Sequence, residues 1–243
     1  MVRGGRWAVV CAAAVLVLAG CGQRHLPPEP KEPYAGVEQL PESLDADGTT
    51  ITVGDPEAAV TVHLYEDPRC PTCKEFETAG GALGLREATV RREVKSTYTL
   101  ASFLDDRVGG SGSKKAVNAL RAALEKGKFA QYHEVLYANQ PDESVDGYTD
   151  AHLLKLAEQV KGLRGPDFDL AVKSMKYRVF VAASEQAYER AGGAKDPRGP
   201  GTPTADINGK RIPPDYSGIL VDHIAFPALL QEIYAAPWKW KGF

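Results

Sequence analysis

The chain has 243 residues and contains 29 Lys and Arg against 32 Asp and Glu, so its formal net charge is −3 at pH 7. A mildly acidic chain lacks the positive surface that binds a phosphate backbone, which argues against a nucleic-acid partner. The residues from 49 to 243 are enough for one well-buried domain that carries an inserted lobe.

The first residues have the pattern of a secretory signal. Arg3 and Arg6 form a basic head, and the apolar run of residues 7–19 is too short for a permanent membrane helix. It ends in Leu-Ala-Gly-Cys21, which resembles the bacterial lipobox, where the peptide is cut before the cysteine and the sulfur receives a diacylglycerol. We therefore expect residues 1–20 to be a lipoprotein signal peptide and Cys21 to be lipidated. The alternative is an ordinary signal peptide with a cysteine near its cleavage site.

Residues 21–48 have the composition of a tether, with few apolar side chains and five prolines: Pro27, Pro28, Pro30, Pro33 and Pro41. Such a segment buries too little surface to offset its chain entropy. We therefore predict that it is disordered and holds an extracytoplasmic domain on the bacterial cell membrane.

The four cysteines leave one free pair. Cys11 lies in the predicted signal and Cys21 is expected to be acylated, so Cys70 and Cys73 remain, two residues apart. A disulfide across so short a loop gains little loop-closure entropy, which disfavours a structural bridge. A structural zinc needs four ligands, and the sequence has no second CxxC and only scattered histidines, which are typical of surface or packing positions. We favour a redox-active disulfide without metal or cofactor.

The rest of the chain predicts strands, then helices, then a hairpin and a last helix. Pro71 directly follows Cys70 and suits the first turn of a helix, and Asn208-Gly209 suits a tight hairpin turn. The predicted strands are 49–53, 59–65 and 90–102, helices fill 113–192, and a closing helix starts near Asp222. This predicts an α/β domain of residues 49–112 and 193–243, interrupted by an inserted helical domain of residues 113–192.

Three segments carry a resemblance to the DsbA-like branch of the thioredoxin superfamily. They are "GDPEAAVTVHLYEDPRCPTCKEF" at 54–76, "KFAQYHEVLYANQ" at 128–140 and "GTPTADINGK" at 201–210. The resemblance covers about residues 49–236. It implies a thioredoxin-like α/β fold with an inserted helical domain, Cys70 at a helix N-terminus, and a cis bond between Thr202 and Pro203 that faces the dithiol.

The chain departs from the family pattern at several places. Relatives often carry an acidic residue six positions before the first cysteine, where this chain has Leu64. Glu66 and Asp67 are close in sequence, but strand alternation leaves the direction of their side chains open. Strong oxidants of the family often have histidine at the position of Thr72, so we expect a milder oxidant. The loop before Gly201 also contains extra residues, 195–200.

The roles of the site residues follow from helix electrostatics and from the resemblance. A sulfur at a helix N-terminus faces unpaired backbone N–H groups and the positive end of the dipole, which favour a thiolate. We expect Cys70 to attack, with positive charge added by Arg69 and Lys74, and Cys73 to be more buried, less acidic and resolving. Pro203 completes the catalytic set. The residues expected to contact substrate are Pro71, Thr72 and Thr202.

These expectations describe a membrane-anchored extracytoplasmic thiol–disulfide oxidoreductase. It would oxidise unfolded or reduced extracytoplasmic proteins through the Cys70–Cys73 pair, and a membrane redox partner would reoxidise it. One alternative is a disulfide reductase or isomerase, for example in cytochrome c maturation, where a CPTC pair also occurs. The other is a non-catalytic lipoprotein that keeps the fold as a binding or chaperone module.

Overall fold

A computed structural model describes residue 1 and residues 26–243. Residues 2–20 of the predicted signal peptide, and Cys21, lie outside the described residues. Within the described part of the chain, none of the helices combines the length and the apolar character needed to cross a bilayer.

The centre of the fold is a mixed six-stranded sheet with the order β1-β2-β4-β3-β5-β6. The central pair, β3 and β4, is parallel, and the other neighbours are antiparallel. Val60, Val62 and Leu64 alternate along β3 and are fully buried, as expected of a β-branched central strand. The strands are β1 (Glu42–Leu44), β2 (Ile51–Val53), β3 (Val60–Glu66), β4 (Val94–Leu100), β5 (Thr204–Ile207) and β6 (Lys210–Arg211).

Helices pack against this sheet and form the insertion between β4 and β5. The insertion contains α3 to α8, so its helices begin at Leu104, earlier than the predicted start at residue 113. Within it, α4 contacts α5, α6, α7 and α8, and α8 packs on β4. The α-helices of the described residues are α1 (Pro71–Thr78), α2 (Ala82–Val90), α3 (Leu104–Val108), α4 (Gly112–Leu124), α5 (Phe129–Ala138), α6 (Asp150–Ala157), α7 (Pro166–Lys173), α8 (Arg178–Gly192) and α9 (Ala225–Ala235).

The prediction of a thioredoxin-like α/β fold with a helical insertion is confirmed. The hairpin of β5 and β6 turns at Asn208 and Gly209, and both residues have the positive φ that this tight turn requires.

The helix that follows the cysteines ends at Thr78, and α2 begins after Gly81. At Gly81 a Cβ atom would lie 2.5 Å from the ring of Phe226, so this glycine permits close packing of α9.

The prediction of a disordered tether up to residue 48 is wrong for its last part. β1 pairs with β2, and Leu40 belongs to the buried core. The carboxylate of Glu42 accepts the backbone N–H groups of Phe129 (2.7 Å) and Ala130 (2.8 Å), and so caps the N-terminus of α5. A composition averaged over the whole segment is dominated by its prolines and hides these few ordering contacts.

The chain is held to the domain even before β1. The ammonium of Lys31 lies 2.8 Å from the carboxylate of Asp55, which also accepts from Arg92 at 3.0 Å. The backbone N–H of Tyr34 donates to the carbonyl of Val90 at 3.0 Å. These contacts form an N-terminal clamp, Lys31 to Tyr34, at the end of the sheet where β3 and β4 begin.

Glu42 lies in β1, and its carboxylate caps α5. If β1 is an integral part of the fold, removing this carboxylate will destabilise the domain. We expect Glu42→Ala to lower the free energy of unfolding by about 1 kcal/mol, because two N–H groups at the start of α5 lose their acceptor. Chemical denaturation measures this change. The exposed neighbour Glu38 is the control, and Glu38→Ala should change stability by less than about 0.5 kcal/mol. Equal effects of the two variants would contradict the assignment.

Candidate active site

The two cysteines lie where β3 gives way to α1. Cys70 is the N-cap residue of α1, with an extended backbone, and Pro71 occupies the first turn of that helix. The side chain of Cys70 makes no capping hydrogen bond. The N–H groups of the first turn have no partner within the helix, and they can interact with the Cys70 sulfur. Both sulfurs are free thiols; Cys70 is 7% exposed, whereas Cys73 is fully buried. The sequence places this junction correctly.

The environment of Cys70 favours its thiolate. A hydrogen bond from the Cys73 thiol lowers the pKa of Cys70 most strongly, and the Thr202 side chain and the backbone N–H groups of Cys73 and Thr72 lower it further. Burial opposes these effects, and the pKa falls to about 6. The sulfur is therefore mostly ionised at neutral pH. This value is above the pKa of about 3.5 known for the cysteine of one strongly oxidising dithiol, and the expectation of a milder oxidant stays a prediction.

The environment of Cys73 has the opposite effect. Burial raises its pKa well above the ordinary value, and the negative charges of Cys70 and Glu66 raise it further. Cys73 therefore remains a neutral thiol beside the Cys70 thiolate. The two sulfurs differ in acidity and exposure as the sequence predicts, with Cys70 suited to attack and Cys73 to resolve.

The segment Thr202–Pro203 faces Cys70. Its peptide bond is cis, and the Cys70 thiol can donate to the carbonyl oxygen of Thr202, 3.3 Å away. The hydroxyl oxygen of Thr202 is buried and has no hydrogen-bond partner, so it is available to donate to the thiolate form of Cys70. Pro203 is buried. The residues expected to contact substrate line one cavity with Cys70: Pro71, Thr72 and Thr202.

Asp67 connects the active-site loop to the insertion. Its carboxylate accepts the Ser113 hydroxyl at 2.6 Å, the Arg69 backbone N–H at 2.9 Å and the Leu104 backbone N–H at 3.0 Å. Burial raises the pKa of Asp67 to about 7. This side chain therefore holds the loop before Cys70 against the start of α3 and α4.

Arg69 and Gln140 strengthen the same connection. The guanidinium of Arg69 donates to the Asp105 carboxylate at 2.9 Å and to two backbone carbonyls of the insertion. Its charge is therefore engaged with the insertion, rather than directed at the thiolate as the sequence suggests. The Gln140 amide donates to the carbonyls of Pro68 (2.8 Å) and Cys70 (2.9 Å), which fixes the turn that presents the sulfur.

A buried acidic cluster lies on the inner side of the dithiol. Nε2 of His133 lies 2.9 Å from Oε2 of Glu66, and Nδ1 lies 3.8 Å from Oε2 of Glu77. Burial raises the pKa values of both Glu66 and Glu77 to about 8, and burial lowers that of His133. At neutral pH the two carboxyls are thus protonated to a large extent and the imidazole is neutral. Oε1 of Glu66 is buried and has no hydrogen-bond partner among the described residues.

The same three side chains have the geometry of a metal site, since one ligand atom from each lies within 4.8 Å of the others. However, the guanidinium of Arg86 lies 2.7 Å from Oε2 of Glu77 and already occupies the oxygen that faces His133. A cation would also have to displace the protons that the raised pKa values indicate. The cluster is better suited to hold protons than a metal ion.

The fold and the site define a class of protein: a thioredoxin-like sheet with a CxxC dithiol at the start of the helix after its central strand, and a cis-proline opposite. A family model described as "Thioredoxin" matches residues 46–220, and the chain belongs to this family. Among curated protein sequences, none matches the chain at a significant level.

Solved structures with a similar fold include MdbA, a thiol-disulfide oxidoreductase from Corynebacterium diphtheriae, BdbD from Bacillus subtilis, and DsbG, a disulfide bond oxidoreductase from Mycobacterium tuberculosis. Their sequence identities are 19%, 20% and 23%, with TM-scores of 0.59, 0.60 and 0.58. The matches cover 83%, 84% and 82% of this chain and 95%, 99% and 89% of those chains. These similarities confirm the DsbA-like arrangement of the fold.

The hydrogen bond from Cys73 should control the acidity of Cys70. We expect Cys73→Ala to raise the Cys70 pKa from about 6 towards its ordinary value of 9.0, because the largest stabilising contact of the thiolate is lost. Thr202→Val should raise it by a smaller amount. The measurement is the rate of iodoacetamide alkylation against pH, in protein whose Cys11 and Cys21 are replaced by serine.

A matched control is Thr78→Val, since this exposed hydroxyl bonds only the Lys74 carbonyl at the far end of α1. It should leave the alkylation profile unchanged. A Cys70 pKa that stays near 6 in the Cys73→Ala protein would contradict the role given to Cys73.

Proposed function

We propose that the protein is a membrane-anchored, extracytoplasmic thiol–disulfide oxidoreductase that oxidises the thiols of unfolded or reduced proteins. One observation carries the proposal. The Cys70 sulfur, with a pKa of about 6, lies at the edge of a cavity with Thr202, and its neutral partner Cys73 lies fully buried behind it. A sulfur of low pKa is displaced readily from a mixed disulfide, and this arrangement supplies one that is accessible to substrate.

The reaction begins from the oxidised Cys70–Cys73 disulfide. A substrate thiolate attacks the Cys70 sulfur, a bond between Cys70 and the substrate forms, and Cys73 leaves with the electron pair of the broken bond. A second substrate thiolate then attacks the substrate sulfur of this mixed disulfide and displaces Cys70. The substrate has gained a disulfide and lost two electrons, and the enzyme holds the reduced dithiol. The low pKa of Cys70 makes it a good leaving group in the second step.

Glu66 can supply the proton that Cys73 needs when it leaves. Cys73 has a raised pKa and therefore takes up a proton, and Glu66 is close enough for its charge to raise that pKa. With its own pKa of about 8, Glu66 is protonated at neutral pH and acts as a general acid. Relatives often carry, at the position of Leu64, an acidic residue that is thought to help shuttle protons to the second cysteine, and we assign that role here to Glu66.

The backbone next to Pro203 can position the substrate. Thr202 follows an exposed glycine and precedes β5, so an extended substrate segment can pair with it by strand addition beside the reacting sulfur. The cis-proline adds no N–H of its own and keeps that surface narrow. Catalysis therefore uses Cys70, Cys73 and Pro203, with the substrate in contact with Pro71, Thr72 and Thr202.

The electrons leave the domain through a membrane redox partner that reoxidises the dithiol. The chemistry requires such an electron acceptor, because each substrate disulfide leaves one reduced dithiol behind. The membrane anchor is the lipidated Cys21, supported by the Leu-Ala-Gly-Cys21 sequence. No resident metal or cofactor takes part in these steps.

The oxidising direction is favoured by the stabilised thiolate, because stabilising the reduced form makes the disulfide a stronger oxidant. A pKa of about 6 lies between the values of about 3.5 for an extreme oxidant and about 7 for thioredoxin. A binding module without catalysis would have no need of a sulfur pair whose acidities diverge, nor of a buried acid behind it.

The test is the oxidation of a reduced, unfolded substrate enzyme by the stoichiometrically oxidised protein. We expect wild type to restore substrate activity, because its disulfide passes to the substrate, whereas Cys70→Ser should be inactive. Cys73→Ala cannot form the Cys70–Cys73 disulfide and should not oxidise this substrate. Mixed instead with a substrate that already carries a disulfide, its Cys70 thiolate should attack that bond, release one substrate thiol and accumulate a Cys70–substrate disulfide, visible on a non-reducing gel, because the resolving sulfur is missing.

Control reactions separate the alternatives. Insulin reduction in the presence of a reductant, without oxidation of the reduced substrate, would favour the reductase function. Activity of wild type equal to that of Cys70→Ser in both assays would contradict any thiol chemistry and favour the binding module.

Glu66→Gln should slow the first step in a pH-dependent way. Because the pKa of Glu66 is raised to about 8, its carboxyl can donate a proton below that pH and has lost the proton above it. We expect the variant to form the mixed disulfide about 100-fold more slowly than wild type at pH 6 to 7, the low end of a general-acid contribution. The ratio of the two rates, measured by stopped flow, should approach one as the pH rises above 8.

The control is Glu134→Gln, a carboxylate at the outer end of the same network, which contacts Arg86 at 3.2 Å. It should follow the wild-type profile. A rate ratio for Glu66→Gln that stays constant with pH would indicate that Glu66 only supports the structure.

A further inference from the structure

A cavity of about 1070 Å³ extends from Cys70 beneath the loop that precedes Thr202. Its volume slightly exceeds the range of about 300–1000 Å³ that is typical of small-molecule sites, so it has room for a polypeptide segment. Five parts of the chain form its walls: the CxxC turn, the 103–107 segment, Glu143 of the loop after α5, one face of α8, and the loop of residues 195–201.

The floor of this cavity is aromatic and its loop wall is fixed. The rings of Phe103 and Tyr188 are stacked, with centroids 5.3 Å apart and planes 6° apart. The Tyr188 hydroxyl accepts the backbone N–H of Gly201 at 3.1 Å. Gly199 has a φ of +97°, and a Cβ atom there would lie 2.2 Å from the Tyr188 ring, so the loop lies directly on it. The extra residues 195–200 noted in the sequence therefore form a preformed wall of the site.

The α8 face of the cavity carries two carboxylates, Glu185 and Glu189, one helical turn apart. Like charges at this spacing destabilise an isolated helix, and Asp106 adds a third carboxylate from the opposite wall. Glu185 accepts the backbone N–H and the hydroxyl of Ser102, and Asp106 pairs with Lys114 at 2.8 Å. Glu189 is exposed and, among the residues that the structure describes, has no ion-pair partner.

The cavity lining holds fewer cations than carboxylates, since Glu143 and Asp196 also line it. The cations are three exposed residues, Arg107, Lys195 and Arg198, and within residues 26–243 none of them forms an ion pair. Burial raises the pKa of Glu185, as do the charges of Glu189 and Asp106. The carboxylates of the two facing walls therefore repel one another, and a cation from a ligand would relieve that repulsion.

We propose that Glu185 and Glu189 form a subsite for a Lys or Arg side chain of the substrate polypeptide, close to its reacting cysteine. The proposal rests on the proposed function, because a polypeptide enters this cavity in order to reach Cys70. A substrate ammonium or guanidinium forms charge-assisted hydrogen bonds with the α8 carboxylates, while its neighbouring side chains lie on the rings of Phe103 and Tyr188. Acidic residues next to the substrate cysteine are disfavoured by like-charge repulsion.

The test uses the full chain with Cys73→Ala, and with Cys11 and Cys21 replaced by serine, so that Cys70 is the reactive sulfur. Three peptides of equal length carry one cysteine as a mixed disulfide with thionitrobenzoate and differ only in two flanking residues: Lys, Gln or Glu. The Cys70 thiolate attacks the peptide sulfur, forms the Cys70–peptide disulfide and releases the coloured thionitrobenzoate anion, which gives the rate. Rates measured with free cysteine correct for the intrinsic reactivity of each peptide.

We expect the corrected rate of the Lys peptide to exceed that of the Glu peptide about 10-fold at low ionic strength. At 1 M salt, where the Debye length is about 3 Å, most of this preference should disappear. Glu189→Gln should reduce the ratio, and the double variant Glu185→Gln with Glu189→Gln should bring it to about 2-fold or less.

The matched control is Glu232→Gln, which removes the same charge from an exposed position on α9 that does not line the cavity. It should leave all three rates unchanged. A ratio near one in the unsubstituted protein, or a ratio that survives in the double variant, would overturn the subsite. If none of the peptides reacts faster than with a Cys70→Ser protein, the proposed function itself fails.

Discussion

Unpaired backbone N–H groups at the start of α1 favour a negative charge on Cys70, whereas Cys73, one turn further into the helix, is enclosed where a charge is costly. The rest of the site depends on this contrast between two neighbouring sulfurs. It determines which sulfur a substrate meets, which one leaves as an acceptable anion, and where a proton has to be delivered. In the proposed mechanism the buried Glu66 supplies that proton, and burial raises its pKa as it raises that of Cys73.

The insertion contributes to this chemistry through contacts that are distant in sequence. Gln140 and the Arg69–Asp105 ion pair bind the turn before Cys70 to segments that come after β4. The insertion also provides α8, which is both a support for β4 and one wall of the cavity. The insertion therefore sets the position of the turn that carries Cys70, and it forms part of the surface that a substrate meets.

The sequence reveals the parts of this arrangement that are local. The CxxC after a buried strand, the first-turn Pro71 and the Thr202–Pro203 pair before an Asn-Gly turn each have a short pattern with a direct physical meaning. The direction of Glu66 cannot be found this way, because the last three residues of β3 are all buried and alternation no longer distinguishes the faces. The Glu66–His133 contact joins residues 67 positions apart, and it exists only once α5 has packed against the sheet.

The strand β1 cannot be predicted from the sequence for a similar reason. A three-residue strand is too short to show an alternation of apolar and polar residues, and it depends on its pairing with β2.

The N-terminal clamp has a consequence for how the domain is presented. Lys31 and Tyr34 hold the chain where β3 and β4 begin, while Cys70 follows the other end of β3, about 20 Å away for a strand of seven residues. Any restraint on the chain upstream of Lys31 therefore acts on the end of the domain that lies opposite Cys70. The cavity beside Cys70 therefore lies at the opposite end of β3 from the place where the upstream chain joins the domain.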